Sequence, residues 1–147
     1  MPATIFAEPR NWFMRDYYSC RAEFLNAIGQ QVFPVQQRHW DLPLADISDT
    51  LSTDAIYIGN PDANKVLVVI SGTHGVEGYC GSALQRFLLH ELAAKNCRLP
   101  SNKAIVMLHA LNPWGMQQAR RCDHQGIDLN RNFIDFGTPN LLHPDYA

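Results

Sequence analysis

Two short stretches of this chain hold residue types that can do chemistry together. The first is His74-Gly75-Val76-Glu77. An imidazole nitrogen and a carboxylate oxygen at that spacing can turn toward one cation, and this donor pair suits zinc. Gly72, Gly75, Gly78 and Gly81 surround it, which predicts a loop whose backbone turns sharply and approaches a ligand closely. The second stretch is Asp128-Leu129-Asn130-Arg131-Asn132-Phe133, with Arg120-Arg121 upstream. A guanidinium forks onto both oxygens of a carboxylate while an Asn amide adds a donor. A further Arg can stabilise a developing oxyanion. Each stretch alone also fits a plainer purpose, a solvated pair in one case and a loop tied by its own hydrogen bonds in the other.

The elements that must position these residues follow from pattern. Trp12 to Ile28 carries an apolar stripe through Tyr17, Cys20, Ala22, Phe24, Leu25 and Ile28 and predicts an amphipathic helix stopped by Gly29. A strand-like stretch runs from Val32 to Leu44, broken by Pro34 and Pro43, and a short strand spans Ala55 to Ile58. Val66 to Ile70 is continuously aliphatic, which predicts a strand buried on both faces. The glycine loop leads into a helix expected over Ser82 to Lys95, with Leu84, Phe87, Leu88 and Leu92 on its inner face. Ala104 to Leu108 predicts a second buried strand. Strand, loop, helix, strand implies a parallel crossover and an α/β sheet of about four strands. Functional groups in such sheets sit on loops at the carboxyl ends of strands. Those loops are Gly72 to Gly81 and His109 to Phe133.

Composition narrows the function classes. Twelve Lys+Arg against 14 Asp+Glu give a formal charge of -2, no field for nucleic acid. A hydrophobic share of 46% is enough for a core, and no aliphatic run approaches the ~20 residues that span a bilayer. The four cysteines (Cys20, Cys80, Cys97 and Cys122) form no C-x-x-C pair, which points to reduced thiols and a cytoplasmic setting. Charged residues make up 18%, below the roughly 25% usual for soluble domains, a hint of surface meant to be covered.

Together, the motifs resemble the zinc carboxypeptidase superfamily (carboxypeptidase A-like and aspartoacylase-like proteins), and its bacterial carboxypeptidase-like branch in particular. Ser71 to Gly78, Asn112-Pro113-Trp114-Gly115, the arginine pair and Asp128 to Phe133 carry the resemblance in that order. It implies an α/β fold, part of a three-layer α/β/α sandwich with a mostly parallel mixed sheet. Residues 1–147 would be the N-terminal portion of one such domain, with the motifs within 54–136. His74 and Glu77 match two zinc ligands, and Asp128 matches the carboxylate that orients the ligand imidazole. Asn130 and Arg131 match the pair that grips a substrate carboxylate. Arg120 or Arg121 matches the oxyanion-stabilising arginine, with Arg121 preferred. Asn112-Pro113 matches an architectural turn.

The family's third zinc ligand is a His well downstream of the Asn-Arg motif, and its general-base Glu lies later still. His143 stands too close in sequence to fill that place, and His109 fits a structural role after a buried strand. The expectation is therefore a zinc-dependent amidohydrolase or carboxypeptidase acting on a peptide or acyl-amino acid that carries a free carboxylate. Its zinc site would be incomplete here, and the chain would be truncated and inactive alone. The alternative is a silent binding module, or half of a split enzyme, that keeps only the carboxylate receptor. Either way an uncovered strand edge, with Val66 to Ile70 and Ala104 to Leu108 nearest the exposed side, would favour self-association or a complementary C-terminal half. Nucleotide-binding and serine-hydrolase readings fail for want of G-x-G-x-x-G, G-K-S/T and G-x-S-x-G motifs.

Overall fold

Asp16 starts the first helix of the computed structural model, which describes residues 9–44 and 50–131. Its carboxylate accepts from the Ser19 backbone N–H at 2.7 Å and caps α1 (Tyr17–Gly29). Trp12 belongs instead to a separate 3-10 turn, Pro9–Trp12. The sheet is built from β1 (Val35–Leu42), β2 (Leu51–Gly59), β3 (Lys65–Ile70) and β4 (Lys103–His109), in the order β1-β2-β4-β3. The fold is α/β with a mixed sheet. β3 and β4 pair in parallel across the intervening α2 (Gly75–Ala94), whereas β1–β2 and β2–β4 pair antiparallel. A short helix, α3 (Pro113–Gln117), follows β4.

Alternation along β2 and β4 sends Ile56, Ile58, Ile105 and Met107 to one face, where Phe24 of α1 and Leu89 and Leu92 of α2 close over them. Helices α1 and α2 also pack on each other, so both cover the same face among the described residues. Among the described residues no element packs on the other face of β3. Val66, Val68 and Ile70 are 47%, 53% and 48% exposed. Leu67 shares its parity with Val69, which packs on the core, yet Leu67 is also exposed because β3 is the outer strand. The strand expected to be buried on both faces is therefore an edge strand, and β4 lies inside the sheet. Hydropathy reports what a strand is fit to bury; it does not report which neighbours are present.

A second correction concerns the glycines. The segment from Gly75 onward is the start of α2, not a loop, and the helix begins well before Ser82. A Cβ at Gly75 would run into the carbonyl oxygens of Gly115 and Arg120, and one at Gly81 would meet the Ser71 side chain at 2.8 Å. These glycines let the first turns of the helix press against α3 and the end of β3. Gly72 is the exception that does need its freedom, at φ +68° against Ala110.

The inner face of α2 also differs from the expected one. Leu84 is exposed, and the buried positions are Ser82, Ala83, Gln85, Arg86, Leu89 and Leu92. The polar members are there to make bonds. Gln85 Nε2 donates to the Val69 and Leu108 carbonyls at 3.0 and 2.9 Å, and its Oε1 accepts from Ser71 Oγ at 2.9 Å. Arg86 donates to the Trp12 carbonyl at 2.8 Å and pairs with Glu23. Gln85 thereby fastens α2 to the carboxyl ends of both parallel strands, where the site begins.

Candidate metal and substrate site

The loops after β3 and β4 continue the parallel pairing beyond the strands. Ser71 N donates to Leu108 O, Leu111 N to Ser71 O, and Asn112 N to Gly72 O at 2.8 Å. Asn112 then caps α3, its Oδ1 accepting from Gly115 N at 2.8 Å, which gives the Asn-Pro turn its architectural purpose. The chain leaving α3 returns to the start of α2, where Gly75 N donates to Arg120 O at 2.9 Å. These bonds fix His74, the N-cap residue of α2, beside the segment that carries Asp128.

His74 Nε2 lies 2.8 Å from Asp128 Oδ1, and His74 Nδ1 lies 3.8 Å from Glu77 Oε1. Asp128 also accepts from Asn130 N on Oδ1 at 2.9 Å and from Arg121 Nε on Oδ2 at 2.8 Å. The bond from His74, followed by those from Arg121 and Asn130, holds the Asp128 carboxyl down at about 2. An ionised carboxylate only accepts, so Nε2 carries the hydrogen. In the neutral ring Nδ1 is then the nitrogen with the lone pair, and it faces the Glu77 side. Glu77 occupies the first turn of α2, where a negative charge is favoured, and its side chain is 70% exposed.

His74, Glu77 and Asp128 are thus brought together by the fold. Asn130 and Arg131 lie on the 3-10 turn Leu129–Arg131, both exposed, next to Asp128. The two candidate arginines separate. Arg121 is bonded to Asp128, while the Arg120 side chain makes no bond or ion pair among the described residues. Both line a recess of about 460 Å3 with Trp114 and His124. Asn132, Phe133 and His143 lie outside the described residues.

The donor chemistry fits zinc in part. One imidazole nitrogen oriented by a carboxylate, with a second carboxylate beside it, makes two members of a ligand set. Among the described residues no group of three or more His, Cys, Asp or Glu side chains is placed to hold a metal. His39 is on β1, His90 is exposed on α2 beside Trp12, and His124 is in the loop before Asp128. Cys80 is exposed on α2 and Cys20 is buried in α1.

His109 stands apart from this site. It is fully buried and stacked on Phe24 with ring centroids 4.6 Å apart, and Nε2 meets Ser82 Oγ at 2.9 Å. Its Nδ1 has no partner among the described residues, so the structural histidine expected there is only half satisfied. Burial, helped by the Arg21 and Arg86 charges, pushes its pKa down to about 3. Beside it, the buried Asp54 holds Arg21 through bonds of 2.7 and 3.2 Å. The sequence gives no cue to this cluster beyond polar residues at positions where periodicity asks for apolar ones.

A family model described as "Protein of unknown function (DUF2817)" matches residues 13–147. A search of curated protein sequences returns no match. Among solved structures, the chain is similar to a glutaminyl cyclase of Macrostomum lignano, with 13% identity and a TM-score of 0.45 over 72% of this chain and 37% of that one. It is also similar to a Fimbriiglobus ruber glutaminyl cyclase, with 15% identity and a TM-score of 0.35 over 62% and 34%. The chain spans roughly a third of the length of either enzyme. No helix among the described residues is long and apolar enough to cross a membrane.

Proposed function

The chain belongs to the DUF2817 family, and from that premise we propose that it carries part of the active site of a zinc-dependent amide hydrolase of the carboxypeptidase type. The observation that carries this reading is the oriented His74 ring, bonded to Asp128 through Nε2 with Nδ1 turned toward Glu77. His74 and Glu77 would hold zinc, with the remaining ligand and the proton-carrying carboxylate supplied from outside the described residues. Zinc bound there supplies a Lewis acid for a carbonyl and lowers the pKa of water.

This chain's own residues prepare the rest. Asp128 keeps the His74 lone pair on Nδ1 and aimed at the metal position. Asn130 and Arg131 present an amide and a guanidinium from one turn, a receptor for a carboxylate on a peptide or acyl-amino acid. The Arg120 guanidinium, which makes no bond among the described residues, is available to the oxyanion of the scissile carbonyl.

Hydrolysis assays provide the test, on this chain alone and on the chain fused to a segment that supplies a further His ligand and a general-base Glu. Zinc-dependent hydrolysis of an N-acyl peptide is expected, with activity removed by a chelator and by His74→Ala. Arg131→Ala should depress activity on substrates with a free carboxylate far more than on their amides. Equal losses on both would remove the receptor role, and hydrolysis indifferent to His74→Ala would remove the reading itself.

A further inference from the structure

Resting on the metal reading above, we propose that Arg121 is a positioning residue, which clamps Asp128 so that Asp128 can aim His74. The resemblance favours Arg121 over Arg120 for the oxyanion, whereas in the structure it is Arg121 that is engaged by Asp128. Arg121 Nε donates to Asp128 Oδ2 at 2.8 Å, while Oδ1 of the same carboxylate takes His74 Nε2 at 2.8 Å. One planar carboxylate thus joins a guanidinium to the ring that is to ligate the metal.

Asp128 follows a turn tied together by Asp123, whose Oδ1 accepts from Gln125 N and Ile127 N at 2.9 Å and whose N–H donates to Ile127 O. The other support of Asp128 itself is local, the Asn130 N–H bond at 2.9 Å and the turn bond from Arg131 N to Asp128 O. Without Arg121 the Oδ2 side of the carboxylate is unheld and only the Oδ1 bonds to Asn130 N and His74 remain, so the orientation of the His74 ring is less tightly fixed. Arg120 cannot substitute. Its backbone carbonyl is bound to Gly75 N, and its side chain lies in the recess with no bond to Asp128. The Asp128 side chain is 16% exposed and that of Arg121 is 53% exposed, so the clamp closes the solvent side of a mostly covered carboxylate.

Calorimetric titration with zinc, and the visible spectrum of the cobalt(II)-loaded chain, test this on the protein as it stands. Arg121→Ala and Arg121→Gln should each lower zinc affinity about tenfold and shift the cobalt bands, the low end of the range for disturbing a carboxylate–histidine pair. Arg121→Lys, which restores a donor and a charge, should recover part of the affinity. Arg120→Ala should leave affinity within about twofold and the spectrum unchanged. In an Asp128→Asn background, Arg121→Ala should have no further effect, because the clamp then has nothing ionised to hold. Unchanged affinity and cobalt spectrum in both Arg121 variants, or an additive loss in the Asp128→Asn background, would overturn the proposal while leaving a His74-dependent site intact. Zinc uptake indifferent to His74→Ala would overturn the metal reading, and the positioning role with it.

Discussion

His74 and His109 mark the carboxyl ends of the two parallel strands, and their surroundings are opposite. His109 ends β4 inside the core, stacked on Phe24, bonded to a serine and near two arginine charges. His74 follows β3 at the rim with a carboxylate toward each ring nitrogen and a side chain 13% exposed. Burial keeps the first ring neutral, because the carboxylate beside it, Asp54, is already engaged by Arg21. An anionic partner on Nε2 and the Glu77 carboxylate 3.8 Å from Nδ1 give the second the surroundings that the proposed ligand role needs. The same residue type at equivalent places is thus turned to two purposes by what the helices place around it.

The largest expected effect concerns His109 and acid. Its pKa in the folded chain is depressed to about 3, against 6.5 for an unburied ring. Below about pH 6.5 the unfolded chain takes up a proton that the folded chain refuses. The stability this group contributes is therefore complete above 6.5 and is lost as pH falls toward 3, at about 1.4 kcal/mol per pH unit. Urea unfolding across that window should show this slope in the wild type and a flatter one in His109→Gln. Equal slopes would place the acid sensitivity elsewhere.

Gly75→Ala comes next, because the added methyl has no room between the Gly115 and Arg120 carbonyls. A loss of about 3 kcal/mol is expected, read as a lower midpoint in thermal or urea unfolding, together with weaker zinc binding as the start of α2 shifts. Asp128→Asn removes the acceptor-only carboxylate and should cost about 10- to 100-fold in zinc affinity, measured by competition with a chelating dye. Smallest in stability is Glu77→Gln. At 70% exposure it should change the unfolding free energy by less than about 0.5 kcal/mol while still weakening zinc, which separates a ligand from a structural group.

The contrast between the two histidines was only half legible in the sequence. His74, Glu77 and Asp128 stand out because they occupy spaced motifs, and the fold does bring those three together. The parallel β3–α2–β4 unit was legible too, since two aliphatic runs flank one helical stretch. What periodicity could not show is that Gly75, Gly78 and Gly81 serve helix packing, because glycine reads as loop until its neighbours are known. Gln85 and Arg86 escaped notice for a related reason. They are buried by bonds to the ends of other elements, and no local pattern records those partners. The run Val66 to Ile70 reads as buried on both faces by hydropathy, yet it lies at the sheet edge with its residues other than Val69 exposed, the side where an uncovered edge was expected.

Calorimetric zinc titration of the wild type, His74→Ala and His109→Gln tests the central claim most directly. The account predicts weak but saturable binding in the wild type, since among the described residues only His74 and Glu77 are in place as ligands. His74→Ala should abolish it and His109→Gln should leave it unchanged. Tight zinc that survives loss of His74, or binding that disappears with His109, would contradict the account.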